Sequence, residues 1–189
     1  MGLIGPDPKM RLNIGSVAVI AILGGCVGVH QSGLTAGPDT ARLARAEMVG
    51  ADGAAAGSAS LFATGDALSL AIDVYGIPPG RHGLHLHASG RCDLPDFTTA
   101  GGHLNPGARQ HGLDNPLGSH LGDLPNLVAS AEGRASLVLP LGGSRSDTLA
   151  ALLDADGSAL MIHAGPDDGV SDPAGNAGPR IACGMLQAD

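Results

Sequence analysis

Aromatic side chains are almost missing: the 189 residues hold two Phe, one Tyr and no Trp. A core of packed rings is thereby excluded, and burial must come from Ala, Val, Leu and Ile. Lysine is nearly as scarce, with Lys9 its only representative, and 10 basic against 18 acidic residues give a net charge of -8. That sign excludes a general binder of phosphate backbones, so no nucleic-acid partner is expected. The apolar run from Ile14 to Leu23 is too short to span a bilayer permanently. The length suits one domain with a tail and excludes two large domains. What the chain has in quantity is glycine, at 31 residues, and histidine, at 8, seven of which fall between His82 and His163.

The segment from Met10 starts with Arg11, runs apolar from Ile14 to Leu23 and ends in Leu23-Gly24-Gly25-Cys26. Charge, apolar run and small residues in that order are the pattern of an export signal. Leu-Gly-Gly-Cys also resembles the bacterial lipoprotein signal, in which the cysteine becomes the acylated first residue and anchors the protein to a membrane. The alternatives are a short buried helix, or a plain secretory signal with an incidental cysteine. Asp7 and Pro8 sit poorly in such a signal, which leaves both Met1 and Met10 as candidate starts. Cleavage before Cys26 removes Asp7, Lys9 and Arg11, leaving a lysine-free chain one unit more acidic, at -9. Cys92 and Cys183 then remain as an even pair in an exported protein, for which a disulfide is the natural assignment and two free thiols the alternative.

Residues 27–42 are small, polar and aperiodic and read as a flexible tether, His30 included. Beyond Ala44, alternation of period two appears in Arg45–Val49, Ser58–Ala63, Leu68–Val74, Arg134–Leu139, Ala159–His163 and Arg180–Leu186, with Gly, Pro or Asp breakers between. Many short strands and no convincing long helix predict an antiparallel sandwich or barrel. Two stretches do not fit a sheet, residues 88–123 and 164–179. Loops this long need a task or a clamp, and the first holds few apolar side chains but several histidines and a cysteine.

His82-Gly-Leu-His85-Leu-His87 reads as a strand, on which alternation turns His85 and His87 to one face and Leu84 and Leu86 to the other. His82 falls on the leucine side and is read as a hydrogen-bonded structural histidine. His163, on another strand, offers a third imidazole. The long loop adds His103, His111, His120 and Asp123, three nitrogens and a carboxylate, a complete tetrahedral set for zinc. Imidazoles in number suit copper in both oxidation states.

These residues resemble the copper/zinc superoxide dismutases. The resemblance rests on His82-Gly-Leu-His85-Leu-His87, Ala100-Gly-Gly-His103-Leu-Asn-Pro106, His111-Gly112, His120-Leu-Gly-Asp123-Leu124, His163-Ala-Gly-Pro-Asp167-Asp168 and Gly175-Asn-Ala-Gly-Pro-Arg180-Ile-Ala-Cys183-Gly184. It implies an all-β fold, an eight-stranded antiparallel Greek-key barrel, immunoglobulin-like, with two long functional loops. It further implies one copper ion held by His85, His87, His103 and His163, and one zinc ion held by His103, His111, His120 and Asp123. His103 would bridge the two and carry a proton in the cycle. Asp167 would link a copper histidine to a zinc histidine, Arg180 would bind the superoxide anion, and Cys92 with Cys183 would form the disulfide.

The expected organisation is a lipoprotein-type signal over 1–25, an acylated Cys26 and tether over 26–42, and a dismutase domain over 43–189, facing the bacterial periplasm as a monomer or homodimer. A metal-buffering module and an envelope protein with purely structural zinc are the competing readings. Arg180 disfavours the first, and the imidazoles of His85, His87 and His163 the second. Where many relatives carry cations that guide superoxide, this chain has Asp167, Asp168 and Asp172 after His163 and no lysine. Pro173-Ala174 stands before Gly175 where the family has a threonine. Weaker guidance and a reshaped mouth are expected.

Overall fold

The structure, a computed structural model, describes residues 39–189 and Gly2. The expected signal, Cys26 and most of the tether lie outside the described residues. Among the described residues eight strands form: β1 (Thr40–Gly50), β2 (Ala55–Thr64), β3 (Ala67–Tyr75), β4 (Gly80–His87), β5 (Asp123–Ala129), β6 (Arg134–Leu141), β7 (Ser158–His163) and β8 (Arg180–Ala188). All pairings are antiparallel, in the order β5-β4-β7-β8-β1-β2-β3-β6, which curls into a nearly closed barrel. The crossing from β3 to β4 and the return from β6 to β7 make it a Greek key.

The strands follow from their alternation. In β3, Leu68, Leu70, Ile72 and Val74 are buried while Asp73 and Tyr75 are exposed, and β2 presents Ala59, Leu61 and Ala63 to the same core. Leu61 opposite Leu70 and Ala59 opposite Ile72 show how small and large side chains fill a barrel without aromatic residues. β4 and β7 differ, because both faces are buried. Leu84, Leu86, Leu160 and Ile162 enter the barrel core, and the opposite face carries His85, His87, Met161 and His163 beneath the long loops. A histidine face shielded from water is the foundation of the site.

Three elements depart from the sequence reading. β1 begins at Thr40, so residues 40–42 belong to a strand and not to the tether. The alternation of β5 is masked in the sequence by Pro125 and the ligand-type Asp123, although its apolar Leu124, Leu127 and Ala129 are buried. A helix, α1 (Arg145–Leu152), fills the β6–β7 connection, and its Ser144 side chain accepts from the Asp147 N–H. Ser144-Arg-Ser-Asp147 is an N-cap signal, but eight residues with a weak apolar stripe were too few to stand out.

Cys92 and Cys183 form a disulfide with Cα atoms 5.7 Å apart, tying the first loop to β8 across 91 residues. Cross-linking at that separation restricts the unfolded chain by about 4–5 kcal/mol on chain-entropy reasoning, a ceiling where the unfolded state keeps residual structure. Cys92→Ser/Cys183→Ser is therefore expected to lose several kcal/mol of stability in urea titrations. A loss below about 1 kcal/mol would show that metals and core already hold the loop unaided.

Candidate metal centre

His85 and His87 stand on β4, His163 stands on the neighbouring strand β7, and a lone bridge between His87 and His103 brings the first loop across them. Each ring has one nitrogen engaged. His87 Nδ1 donates to the Gly101 carbonyl at 2.9 Å, His163 Nδ1 to the Gly178 carbonyl at 2.9 Å, and His85 Nε2 to Asp167 Oδ2 at 2.6 Å. Those bonds fix the tautomers, leaving a bare lone pair on His85 Nδ1, His87 Nε2 and His163 Nε2. These three atoms and His103 Nε2 are the buried side-chain polar atoms without a partner among the described residues. All four residues offer nitrogens lying within 4.8 Å of one another. Four buried lone pairs turned together have no neutral explanation, and a soft-to-borderline cation fits them.

A second group shares His103. Asp123 Oδ1 lies 2.9 Å from His103 Nδ1, 3.0 Å from His111 Nδ1 and 3.1 Å from His120 Nδ1, and the last is 3.4 Å from His103 Nδ1. A tetrahedron with metal–ligand bonds of about 2.0–2.1 Å has edges of roughly 3.3 Å, so this spacing suits zinc. The other oxygen of Asp123 accepts from the Gly112 and His120 N–H groups, both at 2.9 Å, which holds the carboxylate in place. His103 thus turns one nitrogen to each group.

Asp167 joins them a second time. Its carboxylate receives His85 Nε2 at 2.6 Å and His111 Nε2 at 3.0 Å, and a third grouping of these residues is this hydrogen-bonded bridge rather than an ion site. Asn126, which the sequence reading did not single out, fixes the backbone of Asp167 by donating to its carbonyl at 2.9 Å and accepting from its N–H at 2.8 Å. Asp172 accepts from the His111 N–H at 2.7 Å and so pins the second loop to the first. At Gly175, with φ +62°, a Cβ would sit 2.0 Å from Asp167 Oδ1 and 2.7 Å from His111 Nε2, so glycine is required there on both counts. His82 lies outside both groups, its ring nitrogens 2.8 and 2.7 Å from the His163 and Pro78 carbonyls.

Arg180 reaches back over the copper-type group. Its Nη1 donates to the Phe97 carbonyl at 2.5 Å and its Nη2 to the Gly101 carbonyl at 2.6 Å, the same oxygen that orients His87. It lines a cavity of about 410 Å³ with His87, His103, His163, Arg109 and Asp172. Partial burial lowers the pKa of the guanidinium, and Asp96 opposes the shift.

Burial also governs the ionisation of the histidines. Desolvation lowers His87 to about 2 and His163 to about 4, against donation to Gly101 and Gly178 respectively. Desolvation likewise lowers His103, opposed by Asp123. Asp123 and Asp167 are desolvated too, yet His103 with two N–H donors, and His85 with Gly169 and His111, hold them well below the usual carboxylate range. In the metal-free protein the signs agree. Unfolded histidines take protons below their ordinary value of 6.5 while folded His87 and His163 do not, so stability falls as pH drops through 6.5. The slope is up to about 1.4 kcal/mol per pH unit per ring. The two carboxylates add stability that is present above 3.8 and lost below it. Thermal melts of metal-free protein are expected to be level above pH 7 and to fall steadily below 6.5. A constant Tm from pH 7 to pH 5 would contradict these ionisation states.

Residues 55–186 match the copper/zinc superoxide dismutase family. A copper-zinc superoxide dismutase of Aquifex aeolicus is 40% identical over 147 residues, which cover 76% of this chain and 86% of that protein. One from Caulobacter vibrioides is 40% identical over 150 residues, covering 76% and 85%. The crystal structure of a superoxide dismutase-like protein from Bacillus subtilis superposes with a TM-score of 0.70 at 36% identity, over 78% of this chain and all of that one. Since the family match runs through both loops and every histidine of the two groups, the chain belongs to the copper/zinc superoxide dismutase family and is an oxidoreductase that acts on superoxide.

Proposed function

We propose that each chain holds one copper ion on His85, His87, His103 and His163 and one zinc ion on His103, His111, His120 and Asp123, and works at the bacterial cell envelope. The observation that carries the ligand assignment is the convergence of four buried, partnerless ring nitrogens beside a tetrahedral N₃O set, with His103 common to both. Copper held there would supply a one-electron couple between successive superoxide ions, and zinc would supply fixed charge and no redox chemistry. The remaining work belongs to the chain. The Arg180 fork attracts and orients the anion in the cavity beside the histidines. His87 and His163 stay neutral, so their lone pairs remain available across the physiological range. His103 takes a proton at Nε2 in the first half of the cycle, its Nδ1 still turned to the zinc group, and delivers it in the second. With a second proton from water, two superoxide ions become dioxygen and hydrogen peroxide.

The export signal, the Leu23-Gly24-Gly25-Cys26 sequence and a disulfide suited to an oxidising compartment support a periplasmic protein anchored by acylated Cys26. Cys26→Ala is the check on the anchor, which requires that variant to appear in the soluble fraction.

The central experiment measures copper and zinc per chain and then superoxide decay, using protein that begins after Cys26. Two metals with rapid decay support the reading, whereas a single metal in fully loaded protein rejects it. Asp167→Ala tests the bridge: with His85 and His111 released, zinc affinity is expected to fall about 10–100-fold. Unchanged zinc affinity would reduce Asp167 to a loop residue.

A further inference from the structure

We propose that Phe97 is a positioning residue for the anion-binding arginine, acting through the carbonyl that its unusual backbone turns toward Arg180. The inference rests on the reading of Arg180 as the group that binds superoxide. Phe97 is one of two phenylalanines in the chain and is fully buried, in a small cluster with Ala100, Ala159, Met161 and Cys183. Its φ of 55° and ψ of 23° place it in the left-handed region, which aromatic residues rarely adopt. A glycine or asparagine would take that conformation more readily, so something other than local preference keeps an aromatic residue here. The ring supplies it, locked against the disulfide and β7, and the backbone follows.

The consequence falls on the adjoining turn. Phe97 N–H donates to the Asp93 carbonyl at 3.0 Å, and its own carbonyl accepts from Ala100 N–H at 3.1 Å and from Arg180 Nη1 at 2.5 Å. The turn then ends at Gly101, whose carbonyl receives both Arg180 Nη2 and His87 Nδ1. One buried ring therefore anchors a turn whose two carbonyls hold both arms of the guanidinium. Arg180 has no carboxylate partner at salt-bridge distance among the described residues, which leaves these carbonyls to set its direction. The guanidinium keeps its charge for an incoming anion, since neutral acceptors orient it without cancelling it.

The test is a double-mutant cycle on the metal-loaded protein with azide as the anion, read from the copper(II) spectrum, alongside superoxide decay. Metal content and disulfide are verified for each variant. Phe97→Ala is expected to weaken azide binding about tenfold, the effect of losing one well-placed charge-assisted contact. In an Arg180→Ala background the same change is expected to do nothing further, because the two act as a unit. Phe97→Leu fills part of the pocket and is expected to cost about threefold, again only when Arg180 is present. It serves as the decisive variant if Phe97→Ala fails to fold or to load. Equal losses in both backgrounds, or unchanged azide affinity in the variant used, overturn the role of Phe97 while leaving Arg180 as the anion site. Unchanged azide affinity in Arg180→Ala itself overturns the reading of Arg180, and the proposal with it.

Discussion

His163→Ala is expected to abolish superoxide dismutation while the barrel stays folded and most of the zinc stays bound. The separation follows from which atoms the ring serves. His163 Nε2 faces the group of four imidazoles and takes no part in the set of His103, His111, His120 and Asp123. Its other nitrogen donates only to the Gly178 carbonyl. On the proposed ligand assignment, losing it leaves three imidazoles for copper and the whole N₃O set for zinc. Its neighbours on β7, Leu160 and Ile162, enter the barrel core from the opposite face and keep their contacts. The metal-free variant should also lose less stability than wild type as pH falls from 7 to 5, because the deleted ring is one whose protonation burial suppresses. Metal content per chain and superoxide decay are the measurements. Normal dismutation, or zinc lost in parallel with copper, would sink the separation of roles.

The histidines were readable in the sequence because metal chemistry restricts both residue type and parity. Two ligands on one strand must be two apart, as His85 and His87 are, and loop ligands need a segment without a competing apolar core. The alternating strands were readable for the related reason that each must separate a core face from the other. β4 and β7 obey that rule in side-chain chemistry even though both their faces are buried. What escaped was whatever depends on main-chain oxygens or on how the loops fold back. Arg180 is held by the carbonyls of Phe97 and Gly101, and a carbonyl leaves no mark on residue identity. Asn126 was hidden for a similar reason, since its bonds to the Asp167 backbone join β5 to a loop 41 residues away. In the sequence Asp172 reads only as a negative charge after His163, whereas the structure gives it a bond to the backbone of His111.

Arg180→Glu is expected to lower catalytic efficiency by more than Arg180→Ala, with both variants keeping their metals, because a reversed charge repels the anion where a neutral side chain merely stops attracting it. Two features oppose each other here. The substrate is an anion, and the chain carries a net charge of -8 without a single lysine among the described residues. Net charge does not decide the encounter, since salt screens distant charges over about 8 Å at physiological ionic strength and a cleft focuses its local potential. In the cavity the cations are Arg180 and Arg109, and Asp172 is the carboxylate opposing them. Arg109 is partly committed, donating through Nε to the Gly118 carbonyl at 2.8 Å on the rim of the zinc loop. Arg180 lies among the partnerless nitrogens and has the more direct effect. Electrostatic steering changes association rates by about 10–1000-fold, and with few cations and a nearby aspartate this site belongs at the lower end. Raising the salt concentration should accordingly slow wild type only gently, and less steeply than a relative with cationic loops. Superoxide decay after pulse radiolysis across a salt series, with metals counted in every sample, resolves the matter. Equal efficiencies for the alanine and glutamate variants at low salt would show that Arg180 exerts no pull on the incoming anion, leaving its two carbonyl bonds as a purely structural tie between β8 and the first loop.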